Sequence, residues 1–263
     1  KEKIKYIYSD DYSINQINEL INNWNISVIF SFYYRHILPT ELLEKARYGA
    51  INLHGSYLPK YRGRVPVNWQ IINGETKGGV TLHYMVDKPD SGDIINQKKV
   101  PITFNDTPLT LFKKLEKAGE KILRESMVKI LNGTCQRIKQ ETSKATYYGG
   151  RKPSDGQIDW KWDAKRIYNL IRGVTYPYPG AFSYLKNNKI IIWESSISSE
   201  RKISIKSEIG SIINDNKKLL VVVGDGLLSI DKIEYNGTIH DKYIDLKEIL
   251  NQHTFSEQLI SSH

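Results

Sequence analysis

The alternation of strand-like and helix-like segments in the first half of the chain is the feature that most constrains its fold. Residues 27–32 form a continuous apolar run of strand length, which is typical of a buried parallel strand. Residues 41–46 then predict a short helix opened by Pro39 or Thr40, and residues 50–54 predict the next strand. This order predicts an α/β domain built on a Rossmann-like, mostly parallel sheet.

Further segments continue the pattern. We place additional strands at residues 4–8, 78–86 and 94–100, and additional helices at residues 67–73 and 109–131. The sequence begins with Lys1, and a predicted strand follows at residues 4–8. We therefore interpret the sequence as one that starts within its first domain.

The second half differs in composition and in its predicted secondary structure. Residues 142–160 are rich in Ser, Lys, Gly, Pro and Asp, which is typical of a linker. A helix at 164–172 and short strands near 181–185, 189–193, 210–213, 219–223 and 227–235 follow. We therefore predict a first domain at 1–145, a linker at 146–160 and a small β-rich, OB-like domain at 161–263.

Composition excludes some classes of protein and leaves others open. No apolar run reaches the roughly 20 residues that a membrane span needs, and no signal-peptide core follows the charged start. The single cysteine, Cys135, allows no intramolecular disulfide, and no Cys/His cluster has zinc-ligand spacing, so we expect a cytoplasmic protein without a metal. A net charge of +9 favours anionic partners, whether a phosphorylated small molecule, nucleic acid or a lipid surface.

A short polar motif follows the strand at 50–54. Asn52 and His54 are two residues apart, so their side chains share one face of the strand. Gly55 lets a ligand approach the backbone closely. An amide and an imidazole at a strand end can hold a developing oxyanion and handle a proton. By spacing alone, such a pair more often has a structural role than a catalytic one.

The stretch at residues 52–63, Asn-Leu-His-Gly-Ser-Tyr-Leu-Pro-Lys-Tyr-Arg-Gly, resembles the signature of the N10-formyltetrahydrofolate-dependent formyltransferases. The family's second element, an Asp followed by x-Gly, is matched by Asp90-Ser91-Gly92. The similarity continues through residues 31–36, 158–160 and 178–182, and so covers nearly the whole chain.

The resemblance implies that Asn52, His54 and Asp90 are the catalytic residues of a direct formyl transfer. A neutral amine would attack the formyl carbon of the folate, and Asn52, helped by His54, would stabilise the tetrahedral oxyanion. Asp90 would orient or charge His54, or accept the proton of the amine. Which of the two takes the proton stays open at this point.

The resemblance also implies two binding regions. The pterin of N10-formyltetrahydrofolate, the co-substrate, would lie against the loop after the strand at 27–32. This loop consists of Tyr33, Tyr34, Arg35, His36 and Ile37. The amine-bearing substrate would contact Gly55, Ser56, Arg62, Arg64 and Asn68. His83 receives no role and is interpreted as a structural or solvent-facing residue.

Two branches of the family differ in the amine that they formylate. Residues 64–69, Arg-Val-Pro-Val-Asn-Trp, resemble the branch that formylates 4-amino-4-deoxy-arabinose on a nucleotide carrier for lipid A, which favours a nucleotide-linked amino sugar as substrate. Methionyl-tRNA formyltransferase is the alternative, and a non-catalytic folate or nucleotide-sugar binding module is a second. The family begins with a further strand–helix–strand unit that we do not find before Lys1, and the oligomeric state is not indicated.

Overall fold

The computed structural model describes residues 25–34, 36–198 and 208–250, together with the single residues Gln16, Glu19 and Phe255. The predicted strand at 4–8 and the predicted folate-loop residue Arg35 lie outside the described residues. Within the described part of the chain, no helix is both long and apolar enough to cross a membrane.

The first half of the chain is an α/β unit, as predicted. Its strands are β1 (Ile29–Phe32), β2 (Ala50–His54), β3 (Arg62–Gly63), β4 (Lys77–Tyr84), β5 (Ile94–Pro101) and β6 (Tyr147–Tyr148). Its helices are α1 (Thr40–Leu43), α2 (Pro66–Ile72) and α3 (Pro108–Leu131).

The main sheet has the strand order β1-β2-β4-β5 and is mixed among the described strands. β1 and β2 are parallel, whereas β4 runs antiparallel to both β2 and β5. The expectation of a mostly parallel sheet therefore does not hold for these four strands, although the α/β class is confirmed. The reason lies in the short turn around Asp90, because a parallel return from β4 to β5 needs a crossover of about a dozen or more residues. β3 and β6 form a separate parallel pair.

Helix α3 covers one face of this sheet. Its N-terminus carries a capping box in which Thr107 accepts a hydrogen bond from the backbone N–H of Thr110 and the Thr110 hydroxyl accepts one from the N–H of Thr107. Its buried stripe packs into the first hydrophobic core. Gly119 brings the helix so close to β2 that a Cβ there would lie 2.8 Å from Cδ2 of Leu53, the residue between Asn52 and His54. The helix therefore supports the strand that carries the motif.

The second half is a separate, antiparallel β-rich unit, which confirms this part of the predicted fold class. It contains helix α4 (Ala164–Val174), strands β7 (Ala181–Leu185), β8 (Asn188–Ile197), β9 (Ile212–Asp215), β10 (Lys218–Val223), β11 (Gly226–Tyr235) and β12 (Thr238–His240), and helix α5 (Tyr243–Leu250). The sheet order is β7-β8-β11-β10-β9, with β12 paired to β11. The strand predicted at 181–185 is present with the predicted bounds, and the other four predicted strands are present with shifted ends. β12 and α5 were not predicted, and the OB-like closure stays a prediction.

The linker predicted at 146–160 is pinned to the first unit by backbone pairing. Its residues Tyr147 and Tyr148 pair with Arg62 and Gly63 on β3. Beyond the linker, α4 packs against α2 with a buried hydrogen bond from Asn68 Nδ2 to the carbonyl oxygen of Gly173 at 2.9 Å. The two halves therefore share a packed boundary.

Candidate active site

The ends of β2 and β4 and the turn after β4 bring three side chains around one carboxylate. Asp90 Oδ1 lies 3.4 Å from His54 Nδ1, 3.5 Å from Asn52 Nδ2 and 3.5 Å from His83 Nε2. Asn52 and His54 share one face of β2, as the sequence motif predicts. The structure thus brings together the three predicted catalytic residues and adds a second histidine.

His54 is buried, and both of its ring nitrogens face protein groups. Nε2 donates to the carbonyl oxygen of Tyr61 at 2.7 Å, because a carbonyl can only accept. Nδ1 of the neutral ring is then the basic nitrogen, and it faces Asp90. Burial lowers the pKa of His54 below its usual value, and the charge of Asp90 partly opposes this effect. His54 is therefore neutral at pH 7, with a carboxylate beside the nitrogen that would take a proton.

Asp90 is held in an unusual backbone conformation. Its φ of +54° lies in the left-handed region, which a non-glycine residue adopts rarely. Its second oxygen, Oδ2, accepts a hydrogen bond from the backbone N–H of Gly63 at 2.8 Å. Burial alone would raise the pKa of Asp90, but the contacts with His83, His54 and the Gly63 N–H together hold it below its usual value. The carboxylate is therefore charged at neutral pH.

His83 is part of this cluster, and sequence reasoning missed it. It is 1% exposed, which excludes the solvent-facing interpretation. Nδ1 donates to the carbonyl oxygen of Tyr84 at 2.8 Å, and Nε2 accepts from Asn52 Nδ2 at 3.1 Å, because an amide nitrogen can only donate. The strand register explains its position, since His83 stands directly opposite Asn52 in the antiparallel β2–β4 pair. Alternation along β4 was visible in the sequence, but the register was not.

The loop predicted to bind the folate follows β1 at the same edge of the sheet. Phe32, the last residue of β1, pairs with Leu53 of β2, so the loop begins beside the motif. The ring of Tyr33 packs on Phe112 with centroids 4.9 Å apart. Tyr34 and His36 contact each other edge to face. Tyr33, Tyr34 and Ile37 are exposed and thus accessible to a ligand, and their role in folate binding stays a prediction.

The residues predicted to contact the amine-bearing substrate have different environments. Ser56 is fully buried, and its hydroxyl donates to the carbonyl oxygen of Lys60. Arg62 is 2% exposed, and its guanidinium donates to Gln140 and Tyr147. Asn68 is buried against α4. These polar groups are already paired inside the protein, and their contact with a substrate stays a prediction.

Gly55 and Arg64 differ from these three residues. Gly55 is buried, and its carbonyl oxygen accepts a hydrogen bond from Gln70 Nε2 at 2.9 Å. Arg64 is exposed, and it follows directly on Gly63, whose N–H holds Asp90. Its guanidinium also lies next to Gly150 of the linker. Of the five predicted residues, Arg64 is the one whose charge faces solvent near the site.

Within the described residues, no group of three or more His, Cys, Asp or Glu side chains is arranged to hold a metal ion. The cluster instead has the character of an acid–base and hydrogen-bonding site. It combines a charged carboxylate, a neutral buried imidazole and an amide donor at the edge of an α/β sheet.

Comparison with protein-family models assigns both halves of the chain. The formyl transferase model matches residues 7–127, and the model of the formyl transferase C-terminal domain matches residues 151–254. The chain therefore belongs to the formyltransferase family and contains its two domains in that order. The predicted N-formyltransferase class is confirmed at this level.

Solved structures with a similar fold include members with different acceptors. An N-formyltransferase from Helicobacter canadensis in complex with folinic acid and dTDP-3-aminofucose is 25% identical, with a TM-score of 0.59, over 76% of this chain and 72% of that one. Methionyl-tRNA formyltransferase from Clostridium thermocellum is 23% identical, with a TM-score of 0.55, over 73% and 80%.

A third similar structure is HypX from Aquifex aeolicus in complex with tetrahydrofolic acid. It is 17% identical, with a TM-score of 0.67, over 92% of this chain and 42% of that chain. The present chain thus spans less than half the length of HypX. The likeness to HypX and to the Clostridium enzyme concerns the fold.

Proposed function

We propose that this chain transfers the formyl group of N10-formyltetrahydrofolate to the amino group of a nucleotide-linked amino sugar. The observation that carries this proposal is the convergence of Asn52 and His54 within 3.5 Å of one carboxylate oxygen of Asp90. An amide donor beside an imidazole–carboxylate pair suits a reaction that forms an oxyanion and releases a proton.

The neutral amine attacks the formyl carbon, a carbon–nitrogen bond forms, and the carbonyl oxygen becomes an oxyanion. Asn52 Nδ2 has two N–H groups. One donates to His83 Nε2 at 3.1 Å, and the other has only the long 3.5 Å contact with Asp90. We assign this second N–H to the oxyanion, since removing one such donor typically lowers the rate ~10²- to 10³-fold. Collapse of the intermediate breaks the bond to N10 of the folate.

The proton released by the amine goes to the His54–Asp90 pair in this mechanism. His54 offers the basic Nδ1 of a neutral ring, and Asp90 stabilises the imidazolium that forms. The two groups titrate as a coupled pair, so the proton belongs to both. Returning it to N10 as the tetrahydrofolate leaves restores the starting state and balances the reaction.

The amino-sugar acceptor is supported by charge and by similarity. Arg64 is exposed and adjacent to Gly63, which holds Asp90, so its guanidinium is available to a pyrophosphate. The Helicobacter relative was crystallised with dTDP-3-aminofucose.

The exposed loop of Tyr33, Tyr34 and Ile37 at the end of β1 is the surface that we propose for the pterin. The single, half-buried Cys135 is compatible with the cytoplasmic location that we propose.

Methionyl-tRNA and a purely binding role are the alternatives that one experiment separates. The full-length protein is incubated with N10-formyltetrahydrofolate and a panel of UDP- and dTDP-linked amino sugars, with charged initiator tRNA in parallel. Mass spectrometry then records a formyl mass gain on each acceptor. A gain on one sugar supports the proposal, and a gain on the tRNA alone replaces it. Folate binding without any transfer favours the binding module.

A further inference from the structure

Gln140 lies between the two matched domains and contacts the turn that carries Asp90. Its amide is fully used: Oε1 accepts from Arg62 Nε at 3.1 Å and from Arg62 Nη2 at 2.6 Å. Nε2 donates to the carbonyl oxygens of Asp90 at 2.9 Å and of Gly92 at 2.7 Å. Four hydrogen bonds of this kind allow only one orientation of the amide.

The Asp90 turn needs such support because its backbone is in an unfavourable conformation. Asp90 has a φ of +54°, and a side chain at Gly92 would overlap the carbonyl oxygen of Tyr84. Neither carbonyl that Gln140 binds takes part in the β4–β5 pairing. The Gln140 amide therefore supplies hydrogen bonds that the sheet does not provide.

Two neighbouring residues of β3 also contact this region: Gly63 contacts Asp90, and Arg62 contacts Gln140. The Gly63 N–H donates to Asp90 Oδ2, while the Arg62 guanidinium holds Gln140 Oε1. Arg62 is also close enough that its charge contributes to lowering the pKa of His54. The carboxylate of Asp90 is thus fixed through Gly63, and its backbone is fixed through Gln140.

We propose that Gln140 is a positioning residue that holds the Asp90–Gly92 turn, so that the segment joining the two domains completes the active site. This inference rests on the proposed function, because it assigns Asp90 to the transfer reaction. It predicts that the two hydrogen bonds that Gln140 donates are needed for turnover, independently of the two hydrogen bonds that Gln140 accepts from Arg62.

The substitution Gln140→Glu separates these two contributions. A glutamate has the same length and still accepts from Arg62, but it has no N–H to donate to Asp90 or Gly92. We expect kcat to fall roughly 10- to 100-fold, since a displacement of about 1 Å in a catalytic group can cost about 10²-fold. The KM for the folate should stay close to that of the wild type. The melting temperature should fall, because a carboxylate oxygen would face the carbonyl oxygens of Asp90 and Gly92, but circular dichroism should show a folded protein at the assay temperature.

The uncharged substitution Gln140→Met provides a readout that is independent of turnover. NMR titration of His54 in this variant should give a lower pKa than in the wild type, because a displaced Asp90 no longer favours the imidazolium. The charged or titratable groups that face His54 are Asp90, His83 and Arg62. Arg62 loses its hydrogen bonds to Gln140 in this variant, but a displaced Arg62 would raise the pKa of His54, so a lower pKa reports the displacement of Asp90. The matched control for Gln140→Glu is Gln136→Glu. Gln136 lies exposed in the same segment, and its amide donates to the carbonyl oxygen of Ile95 at 3.3 Å, away from the Asp90 turn.

Wild-type kcat in Gln140→Glu, or an unchanged His54 titration in Gln140→Met, would overturn the inference. The same holds if the loss of activity follows a loss of folded protein. A wild-type chain that transfers no formyl group refutes the proposed function instead, and the NMR titration then still decides whether Gln140 positions Asp90.

Discussion

Asp90 receives its partners from several backbone segments, and these partners are divided between its two carboxylate oxygens. Oδ1 faces the imidazoles of His54 and His83, while Oδ2 is held by the Gly63 N–H. The Gly63 N–H at 2.8 Å and the Asn52 amide at 3.5 Å compensate this buried charge for lost hydration. The chemistry of the site therefore depends on a small set of distances around one carboxylate.

The substitution His54→Ala should remove transfer while the fold is kept. We expect a loss of about 10²- to 10⁴-fold in kcat, the range for a positioned acid–base group. The mass-spectrometric assay measures the rate, and circular dichroism checks the fold. His240→Ala is the control, since His240 lies on β12 in the other domain. Substantial residual transfer by a folded His54→Ala protein would contradict the mechanism.

The pH dependence of stability should report the lowered pKa of His54. The unfolded chain protonates this residue near its ordinary pKa of about 6.5, whereas the folded chain protonates it at lower pH. Its contribution is therefore fully present above about pH 6.5 and is lost as the pH falls towards the folded pKa, by at most about 1.4 kcal/mol per pH unit. Asp90, whose pKa is also lowered, loses its contribution only below its ordinary value of 3.8.

Urea unfolding of the wild type and of His54→Gln between about pH 7.5 and about pH 5 measures this difference. The wild type should lose more unfolding free energy on acidification than the variant does. Equal losses in both proteins would show that His54 is not buried in its neutral form.

At the level of elements, the turn between β4 and β5 sets the direction of the Asp90 side chain. β4 and β5 pair along most of their length, with a register shift between Leu82 and His83. Beside the end of β4, Gly92 lies so close to the carbonyl oxygen of Tyr84 that only a hydrogen atom fits in place of a side chain. The sheet, the turn and the Asp90 carboxylate are therefore coupled through backbone geometry.

The substitution Gly92→Ala should displace this turn. The added Cβ meets the carbonyl oxygen of Tyr84, a backbone atom that cannot move without disturbing β4. We expect a loss of about 1–3 kcal/mol in unfolding free energy together with a strong loss of transfer. Gly226→Ala is the matched control, because nothing lies within 4 Å of a Cβ at Gly226. A Gly92→Ala protein with wild-type stability and activity would refute the coupling.

At the level of the whole molecule, the two domains are joined by buried polar contacts in addition to apolar packing. Arg172 on α4 is 8% exposed, and its guanidinium donates to the carbonyl oxygens of Thr103 at 3.2 Å and Asp106 at 2.8 Å. Asn68 donates to Gly173 in the opposite direction across the boundary. The site and the second domain are thus linked through α2.

The substitution Arg172→Ala should weaken this boundary. It removes hydrogen bonds from a charged donor and leaves the buried carbonyl oxygen of Asp106 unpaired, so we expect a loss of about 1.5–3 kcal/mol in unfolding free energy. Because the domains would be less tightly coupled, denaturant unfolding should broaden or separate into two transitions. Arg166→Ala is the control, since Arg166 is exposed and its guanidinium stacks on Trp162 of its own domain. A single unshifted transition in Arg172→Ala would contradict this role.

The sequence by itself determined the features that depend on local periodicity and on the motif. The α/β class, most strand and helix positions, and the placement of Asn52 and His54 on one face of β2 follow from the spacing of residues a few positions apart. The family resemblance added Asp90, which the structure places beside both of them.

Only the tertiary structure decided which distant residues meet. His83 joins the site because of the register between β2 and β4, which depends on packing across the sheet. Arg62 turns inward and Gln140 reaches the Asp90 turn because a segment nearly eighty residues away from Arg62 folds back onto β3. Such contacts are chosen by the free energy of the whole fold, in which buried polar groups must find partners, and local sequence patterns do not specify those partners.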